Sequence, residues 1–184
     1  MSTLLSGLSL PLASVVDPAK TFSYIIGSTQ IFTVPISGGT PSVLAGQAGV
    51  LGYADGTGSQ VQFWNPNDAA VHPRTGVLYL VDGTHRIRVC TSLGVVTTLA
   101  GCGERGNVDG AAFTAKFNWP TGIVLDSSSV NLYVTCLDGN TLRQVVVLTG
   151  WVTTLAGSGG QLENDGTGPA ASFNQPAYVI CSFD

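Results

Sequence analysis

Three short pairs of polar and aromatic residues, each directly before a proline, are the part of this sequence best suited to contact a ligand. They are Trp64-Asn65 before Pro66, Asn118-Trp119 before Pro120 and Asn174-Gln175 before Pro176. Aromatic rings beside amide groups are typical of recognition surfaces and ligand pockets. We therefore take Trp64, Asn118, Trp119 and Gln175 as candidate binding residues, with packing of both tryptophans between structural units as the alternative.

A second group of candidates, Asn67, Asp68 and His72, carries the oxygen and nitrogen atoms that bind metals or polar ligands. No equivalent group recurs later in the chain. The sequence also lacks Cys-x-x-Cys, His-Glu-x-x-His, Gly-x-Ser-x-Gly and phosphate-loop motifs. We therefore expect no catalytic residue, no bound metal and no cofactor, and we keep these three residues as binding candidates.

The remaining acidic candidates and the second histidine fall at repeated positions, which favours structural roles. Asp55, Asp109 and Asp165 each precede a glycine, which is a turn signal. Three such carboxylates on one face could instead hold calcium. His85 follows an Asp-Gly-Thr turn sequence, and Asp126 ends an apolar run. We predict turn, capping or other structural roles for all five.

A sequence repeat must position these side chains. A Leu-Ala-Gly sequence ends at residues 46, 101 and 157, an Asp-Gly pair follows each copy, and a Phe-x-x-Pro sequence comes next. The prolines of that last sequence are Pro66, Pro120 and Pro176, which stand at nearly equal intervals along the chain. A nearly fixed period of this kind indicates a repeat architecture.

Each repeat contains four short runs of β-branched and aromatic residues separated by turn residues, and no window has helical periodicity. In the third unit the runs begin at Thr121, Asn131, Thr141 and Trp151. Four short strands in a unit of this length are the pattern of one propeller blade. The sequence therefore predicts an all-β chain.

The predicted blades divide the chain, residues 1–184, as one segment of a propeller. Three complete four-stranded blades are expected at about 11–46, 66–101 and 120–157, and a fourth begins at 176–184 with an inner strand at Ala177–Cys181. Phe63, Phe117 and Phe173 are expected to fill the gaps between blades, with Leu8 in that place for the first.

The repeat resembles the NHL repeat family. The residues that match the family pattern are Pro120–Asp126, Asn131–Val134, His85–Arg88 and Val152–Gly157. The resemblance covers nearly the whole chain, although the first repeat has Gln30-Ile31-Phe32-Thr33, without arginine, in its third strand. The resemblance implies a β-propeller, usually of six blades, that most often serves as a non-enzymatic scaffold for a protein or small ligand.

The resemblance leaves an enzymatic alternative open, because a minority of six-bladed relatives are enzymes. The alternative is a partial propeller of a metal-dependent hydrolase or lyase, similar to the gluconolactonase or peptide-amidating lyase groups. Those enzymes hold a metal in the central channel with acidic, Asn or His ligands. Asn67, Asp68 and His72 would be the matching residues here.

Composition excludes several classes of partner. The net charge is −4 with only seven Lys and Arg, so we expect no nucleic-acid binding. No apolar run reaches the ~18 residues of a membrane span. The uncharged, leucine-rich first sixteen residues lack the basic start of a signal peptide. The four cysteines suggest no pairing, and unpaired thiols mildly favour the cytoplasm, but the compartment stays open.

Assembly follows from the number of blades. A propeller removes its sheet edges by closing into a ring, which three blades cannot do. Two apolar flanks are therefore expected, one around Tyr24 and Phe32 and one around Phe173. We predict that further blades of a longer chain cover them, or that the chain self-associates as a head-to-tail dimer or less regular aggregate.

Overall fold

The computed structural model describes residues 11–162 and 164–181. Within those residues every regular element is a β-strand, apart from single 3-10 turns at Gly58–Gln60 and Gly168–Ala170. The predicted all-β class is confirmed. In this part of the chain no helix has the length and apolar character needed to span a membrane.

The strands form three antiparallel sheets, each built from four consecutive strands that pair in chain order. The first sheet contains β1 (Ala13–Val16), β2 (Phe22–Ile26), β3 (Gln30–Pro35) and β4 (Ser42–Gly46). The second contains β6 (Asp68–Val71), β7 (Leu78–Asp82), β8 (Arg86–Cys90) and β9 (Val95–Ala100), and the short β5 (Gly56–Thr57) pairs with β9. The third contains β10 (Pro120–Leu125), β11 (Asn131–Cys136), β12 (Thr141–Val146) and β13 (Val152–Ala156).

The turn after β10 shows how an aspartate determines where a strand ends. The carboxylate of Asp126 accepts hydrogen bonds from Ser128 Oγ, Val130 N–H and Asn131 Nδ2, each at 2.9 Å. Asp17 does the same after β1, where its carboxylate accepts the N–H groups of the next turn. Such local hydrogen bonds stabilise a turn in place of a continued strand. The turn role predicted for Asp126 is confirmed.

The third strand of every sheet carries the same irregularity. The pairing register with the fourth strand shifts between Ile31 and Phe32, between Ile87 and Arg88, and between Leu142 and Arg143. This is a β-bulge, which bends the strand and redirects the following side chain. Phe32, Arg88 and Arg143 are therefore structurally equivalent positions.

Two apolar clusters fill the spaces between neighbouring sheets. Tyr24, Ile31 and Leu80 belong to the cluster between the first and second sheets, and Val81 and Leu132 to the cluster between the second and third. The predicted filler residues of these gaps, phenylalanines 63 and 117, are fully buried, one in each cluster. Their predicted packing role is confirmed, and Leu8 lies outside the described residues.

One of the two predicted apolar flanks is wrong. Tyr24 is buried, and its hydroxyl donates a hydrogen bond to the Gly76 carbonyl of the second sheet at 3.2 Å. Successive side chains of a strand alternate between its two faces, and Tyr24 lies on the face of β2 that the second sheet covers. Phe32 is also buried.

The predicted fourth inner strand is not formed, since residues 175–181 contain no strand. This stretch lies beside the third sheet, where Thr135 Oγ1 donates to the Ala177 carbonyl at 3.1 Å. A strand requires a hydrogen-bonded neighbour along its length. No described segment provides that neighbour for residues 177–181.

The connecting segments 47–65, 102–119 and 158–175 share one backbone plan. Each contains a parallel bridge between residues twelve apart, namely Leu51 to Phe63, Arg105 to Phe117 and Gln161 to Phe173. Each also contains one equivalent backbone hydrogen bond, at 3.0–3.1 Å. The donors and acceptors are Gln62 N–H and the Ala54 carbonyl, Lys116 N–H and the Val108 carbonyl, and Ser172 N–H and the Asn164 carbonyl. Each follows a glycine with φ near 100°, where a Cβ would collide with a backbone carbonyl of the preceding sheet.

Segment 47–65 is tied to the second sheet by a buried arginine. Arg88 Nη2 contacts Asp55 Oδ1 at 2.7 Å and donates to the Ala54 carbonyl at 3.0 Å. Arg88 Nη1 donates to the Gln62 carbonyl at 3.3 Å, and the guanidinium carbon lies 5.5 Å from the centre of the Phe63 ring. The side chain of Arg88 is fully buried although Asp55 is half exposed.

Segment 102–119 repeats this arrangement with the third sheet. Arg143 Nη2 contacts Asp109 Oδ1 at 2.7 Å and donates to the Val108 carbonyl at 3.0 Å. Arg143 Nη1 donates to the Lys116 carbonyl at 2.9 Å, and the guanidinium carbon lies 5.2 Å from the centre of the Phe117 ring. We call the set of aspartate, two carbonyls and phenylalanine ring an arginine site.

The arginine sites correct the turn role predicted for the repeated aspartates. Asp55 and Asp109 each bind a buried arginine, and each also accepts the backbone N–H of a threonine on the fourth strand at 2.9 Å, Thr98 and Thr154 respectively. Charge-assisted hydrogen bonds of this kind are stronger than neutral ones. The two aspartates therefore fasten each segment to the sheet that follows it.

Candidate ligand-binding site

The side chains of Trp64 and Trp119 line one open cavity of about 450 Å³. They stand near the ends of segments 47–65 and 102–119, where the chain reaches the innermost strand of the next sheet. The two side chains are 49% and 39% exposed, so neither is buried between the sheets. Two of the residues proposed from the sequence are therefore brought together.

The remaining walls come from the second sheet and its flanking segments. The other lining residues are Tyr53, Gly83, Thr84, His85, Arg86, Cys102, Gly103 and Glu104. The guanidinium carbon of Arg86 lies 4.4 Å from the centre of the Tyr53 ring, a cation–π geometry. Arg86 Nη1 and Nη2 donate to the carbonyls of Thr84 and Cys102, both at 3.1 Å. These contacts hold Arg86 in place, and Tyr53 stacks on it as an aromatic wall.

The cavity continues along the surface toward Phe113. Tyr53, Arg86 and Cys102 also border a neighbouring open cavity of about 460 Å³. Phe113 lines that second cavity and is largely exposed. The two cavities therefore lie side by side, share three lining residues, and each has aromatic side chains in its wall.

The backbone at Trp119 is held by His85. Trp119 has φ 57°, in the left-handed region that few bulky residues adopt. Its N–H donates to His85 Nδ1 at 3.3 Å, and the two ring centres are 5.8 Å apart. An Nδ1 that accepts a hydrogen bond carries no proton, so the imidazole is neutral with its proton on Nε2. The predicted structural role of His85 is confirmed, and its ring also lines the cavity.

The surroundings of His85 favour this neutral form. Burial lowers the pKa of His85 below its ordinary value of 6.5, and the charges of Arg105 and Arg86 lower it further. Asp138 acts in the opposite direction without reversing the shift. Protonation of His85 would remove the acceptor of the Trp119 N–H.

Asn118 supports the cavity from behind. Its Oδ1 accepts a hydrogen bond from Arg105 Nε at 3.0 Å, and its Nδ2 donates to the Asp138 carbonyl at 3.0 Å. Arg105 also forms an ion pair with the carboxylate of Asp138 at 2.6 Å. Because these contacts occupy the Asn118 amide, Asn118 positions the loop beside Trp119 and does not line the cavity.

Charges around the cavity are balanced. Glu104 lines it and pairs with Lys116, whose Nζ lies 2.6 Å from Glu104 Oε2. The hydrogen bond and charge of Lys116 lower the pKa of Glu104, so Glu104 is ionised at neutral pH. With Arg86 positive, Glu104 negative and His85 neutral, the lining residues carry no net charge.

Asn67 and Asp68 lie apart from the tryptophan cavity, directly before and at the start of β6, the innermost strand of the second sheet. Asn67 Nδ2 donates to the Pro120 carbonyl at 3.3 Å. The Asp68 carboxylate accepts the N–H groups of Ala69 at 2.8 Å and Ile123 at 3.0 Å, and burial raises the pKa of Asp68. These contacts join the innermost strands of the second and third sheets. Asn67 also borders a separate cavity of about 210 Å³.

His72 and Gln175 are not brought to the tryptophan cavity either. His72 follows β6 at the end opposite Asn67, and its Nδ1 accepts the N–H groups of Arg74 at 3.2 Å and Thr75 at 3.4 Å. Gln175 lies at the end of segment 158–175, where its N–H donates to Asn140 Oδ1 at 2.9 Å. The seven sequence candidates are therefore distributed over four places.

Four wall residues, Tyr53, Arg86, Cys102 and Glu104, are not identifiable as a set from the sequence. They come from two connecting segments and one strand, and only the packing of these elements brings them together. One usable signal exists at Tyr53, which stands two residues before a repeated aspartate. The equivalent residue of the next segment is Asn107, so an aromatic side chain at this position departs from the repeat.

Among residues 11–162 and 164–181, no group of three or more His, Cys, Asp or Glu side chains is arranged to hold a metal ion. Asn67, Asp68 and His72 in particular do not converge, since Asn67 and His72 flank opposite ends of a four-residue strand. The arrangement at the tryptophan cavity instead offers aromatic surface with hydrogen-bonding groups at its edges.

The sequence matches no protein-family model and no curated protein. Solved structures nevertheless share the fold. A structural-genomics protein of unknown function from Bacteroides thetaiotaomicron has a TM-score of 0.73 and 22% identity, covering 90% of this chain and 40% of that chain. An auxiliary nutrient binding protein from the same organism has a TM-score of 0.68 and 19% identity, covering 90% and 41%.

A more distant likeness is to virginiamycin B lyase from Staphylococcus aureus. The TM-score is 0.53 at 13% identity, covering 79% of this chain and 41% of that chain. These likenesses show a propeller-like arrangement of antiparallel sheets. The chain spans about two fifths of the length of each of these three proteins.

Proposed function

We propose that this chain is a non-enzymatic binding module built from NHL-type repeats, part of a propeller of six blades, and that it binds a small ligand in the Trp64–Trp119 cavity. The observation that carries the proposal is the convergence of three exposed aromatic side chains, Tyr53, Trp64 and Trp119, on one cavity of about 450 Å³. Ligand pockets combine apolar and aromatic walls with a few polar groups, in volumes of roughly 300–1,000 Å³.

The chemistry of the walls favours a neutral ligand with a flat apolar face and a polar rim, such as a sugar ring. Aromatic rings offer flat apolar surface to the ring face, and the Arg86 and Glu104 groups at the edge can bond hydroxyl groups. The balanced charge of the lining residues gives no preference for an anion or a cation. The neighbouring cavity beside Phe113 would accommodate a second ring.

The fold comparison supports a binding role by precedent only. One propeller-like relative is described as an auxiliary nutrient binding protein, and it shares 19% identity with this chain. At that level of identity the precedent concerns the scaffold, not the site. The proposal therefore depends on the cavity residues themselves.

The enzymatic alternative, a metal-dependent hydrolase or lyase, gains no support from the candidate ligands. The Asp68 carboxylate accepts two backbone N–H groups, and His72 Nδ1 accepts two others. Asn67 lies at the opposite end of β6 from His72. These groups form contacts within the fold and do not face a common point.

The proposal can be tested by titrating the protein with a panel of neutral mono- and disaccharides while tryptophan fluorescence is recorded. We expect a saturable change for at least one sugar, and we expect Trp64→Ala and Trp119→Ala each to weaken its binding at least tenfold. Stacking of a nucleobase on an aromatic side chain is worth about 1–3 kcal/mol, we expect a sugar ring to fall within that range, and about 1.4 kcal/mol corresponds to tenfold.

Trp151 supplies the matched control, because it is the remaining tryptophan, is 51% exposed and does not line the cavity. Trp151→Ala should leave the affinity unchanged. Equal loss in all three variants, or an unchanged affinity after Trp64→Ala and Trp119→Ala, would contradict the assignment of the site.

A further inference from the structure

Segment 158–175 contains a third arginine site that no arginine fills. The groups equivalent to those around Arg88 and Arg143 are the Asp165 carboxylate, the carbonyls of Asn164 and Ser172, and the Phe173 ring. Together with Ala156 and Gly166 these residues line an open cavity of about 380 Å³. Among the described residues, no arginine contacts Asp165, because all five arginines of the sequence lie in or between the second and third sheets.

The vacant site has the same backbone as the two filled ones. The parallel bridge between Gln161 and Phe173 matches the bridges of the earlier segments. The Ser172 N–H donates to the Asn164 carbonyl at 3.0 Å, as the equivalent groups do at both filled sites. The backbone that carries Asp165, the two carbonyls and Phe173 therefore has the conformation of a filled site although no arginine among the described residues is bound there.

The ring of the vacant site is accordingly less covered. Phe63 and Phe117 are fully buried, whereas Phe173 is only partly buried. At both filled sites a guanidinium lies 5.2–5.5 Å from the ring centre. By analogy with those sites, a guanidinium would lie over the partly buried Phe173 ring.

We propose that this surface is a docking site for a further four-stranded sheet of the same repeat, which inserts an arginine from its third strand between Asp165 and Phe173. The filled sites give the spacing, since the sequence separation is 33 between Asp55 and Arg88 and 34 between Asp109 and Arg143. A sheet joined after residue 175 would place its arginine at the same separation from Asp165.

A second copy of this chain is a poor occupant. A head-to-tail dimer would bring its first sheet to the flank, and that sheet has Phe32 at the position of Arg88 and Arg143. The strand partner of Phe32 is Val43, where the other two sheets have the threonines that bond the aspartate. The first sheet therefore offers Asp165 neither a guanidinium nor a threonine hydroxyl, and only the backbone N–H of Val43 remains.

The test is a chimera in which residues 120–157 are repeated directly after residue 175, in place of 176–184. The added sheet carries a second Arg143, as far along the chain from Asp165 as Arg143 is from Asp109. Four proteins are compared by urea unfolding: the chimera, its Asp165→Asn variant, a variant with Arg143→Met in the added copy, and the double variant. We expect the two changes to be coupled by about tenfold or more in the unfolding equilibrium constant.

The natural chain provides the control, because Asp165→Asn without an added arginine should change its unfolding constant less than about twofold. Coupling below about twofold in a folded chimera would overturn the proposal. A dimer of the natural chain, seen by light scattering and lost in Asp165→Asn, would also overturn it, because a second copy would then be the occupant.

A chimera that fails to fold would leave a second measurement. The natural chain, labelled with 15N, is titrated with N-acetyl-arginine methylamide. Saturable amide shifts at Asp165, Ser172 and Phe173 that vanish in Asp165→Asn are expected. The lysine derivative should give weaker shifts, because a guanidinium directs donors from two nitrogens at the carboxylate and the carbonyls, as at the filled sites, whereas an ammonium is a single point of charge. No saturable shift, or equal shifts with both compounds, would contradict the proposal.

Discussion

Segments 102–119 and 158–175 share a backbone plan but differ in what surrounds them. In the first, Arg143 is buried against Asp109 and Phe117. In the second, Asp165 and Phe173 hold the same places without an arginine. Segment 158–175 nevertheless keeps the parallel bridge and the backbone hydrogen bond that segment 102–119 has. The conformation of a segment therefore does not depend on its arginine, and the arginine instead fastens the segment to a sheet.

The ends of the two segments differ in a way that bears on function. His85 accepts the N–H of Trp119, and Asn140 accepts the N–H of Gln175. The two acceptors stand at equivalent positions of their sheets but are different residue types. Trp119 and Gln175 have nearly the same left-handed φ, 57° and 54°. The fold thus requires an acceptor and a φ value, and it does not require a histidine or a tryptophan. The fold therefore does not explain why Trp119 and His85 in particular occupy the cavity wall, which favours a role for them in the cavity.

The largest expected effect comes from making the filled segment resemble the vacant one. Arg143→Met should lower the free energy of unfolding by about 2–4 kcal/mol, because the charge-assisted hydrogen bonds of the fully buried guanidinium to Asp109 and to the carbonyls of Val108 and Lys116 are lost. Urea unfolding followed by circular dichroism measures the loss. Arg105→Met, which removes an exposed ion pair, is the control and should cost less than about 1 kcal/mol. Equal losses would mean that burial of the arginine is unimportant.

A smaller effect is expected from the carboxylate alone. Asp109→Asn should cost about 1–2 kcal/mol, because Arg143 keeps both carbonyl acceptors and Asp109 is half exposed. Asp165→Asn removes the same group at the vacant site and should cost less than about 0.5 kcal/mol. The two variants are compared in the same urea series, and similar costs would contradict the distinction between filled and vacant sites.

The acid response should show the contribution of the Asp109 carboxylate. Burial alone would raise the pKa of Asp109, but hydrogen bonds from Thr154 and Arg143 outweigh it and lower the pKa below 3.8. An acid with a lowered folded-state pKa stabilises the fold above its unfolded value and loses that contribution as pH falls through the folded value. Asp109→Asn should therefore flatten the dependence of stability on pH below about pH 4, measured by urea unfolding across that range, and an unchanged dependence would contradict this role of Asp109.

Exchanging the acceptors tests whether the fold needs only a hydrogen bond at Trp119. His85→Asn supplies the amide oxygen that Asn140 supplies at the other segment, so stability should fall by less than about 0.5 kcal/mol. His85→Leu leaves the Trp119 N–H without its acceptor and should cost about 1 kcal/mol. Thermal unfolding distinguishes the two, and an equal cost would show that the imidazole ring itself is required.

The smallest effect is a pH dependence confined to one segment. The pKa of His85 is lowered in the fold, so as pH falls below about 6.5 the unfolded state takes up the proton first. Stability should therefore decline between pH 6.5 and the lower folded-state pKa and then level off, with a change in Trp119 fluorescence. His85→Asn should remove this step. A step that persists in the variant would have to come from another group.

The sheets could be predicted from the sequence because their signals are local. The runs of β-branched residues and the turn after Asp126 determine where strands begin and end, and the period repeats them three times. The strand expected at 177–181 is not formed, and local sequence could not show this, because a strand also requires a hydrogen-bonded neighbour. The sequence also could not show that Tyr24 is on the covered face of β2, because the alternation of side chains defines two faces without showing which one another sheet covers.

The candidate site was only partly predictable for a related reason. The two tryptophans occupy neighbouring, not identical, positions between the repeated phenylalanine and proline of consecutive repeats, so the architecture places them in the same region without showing that both face one cavity. Arg86 and Arg88, by contrast, both belong to a repeated motif, and only the packed sheets show that Arg86 faces a cavity while Arg88 is buried. The roles of Asp55 and Asp109 were hidden because each arginine comes only after the first two strands of the next sheet.

The direction of the arginine contacts determines where this chain can be cut into transferable pieces. Each arginine reaches back to the segment before its own sheet, so residues 47–101 and 102–157 each contain a complete aspartate, phenylalanine and arginine set. A piece that begins with a sheet, such as 66–119, would contain Arg88 without Asp55 and Asp109 without Arg143. Grafting or excision of single repeats should therefore be planned with boundaries at Gly46, Gly101 and Gly157, whereas tandem insertions restore every pair whichever boundary is used.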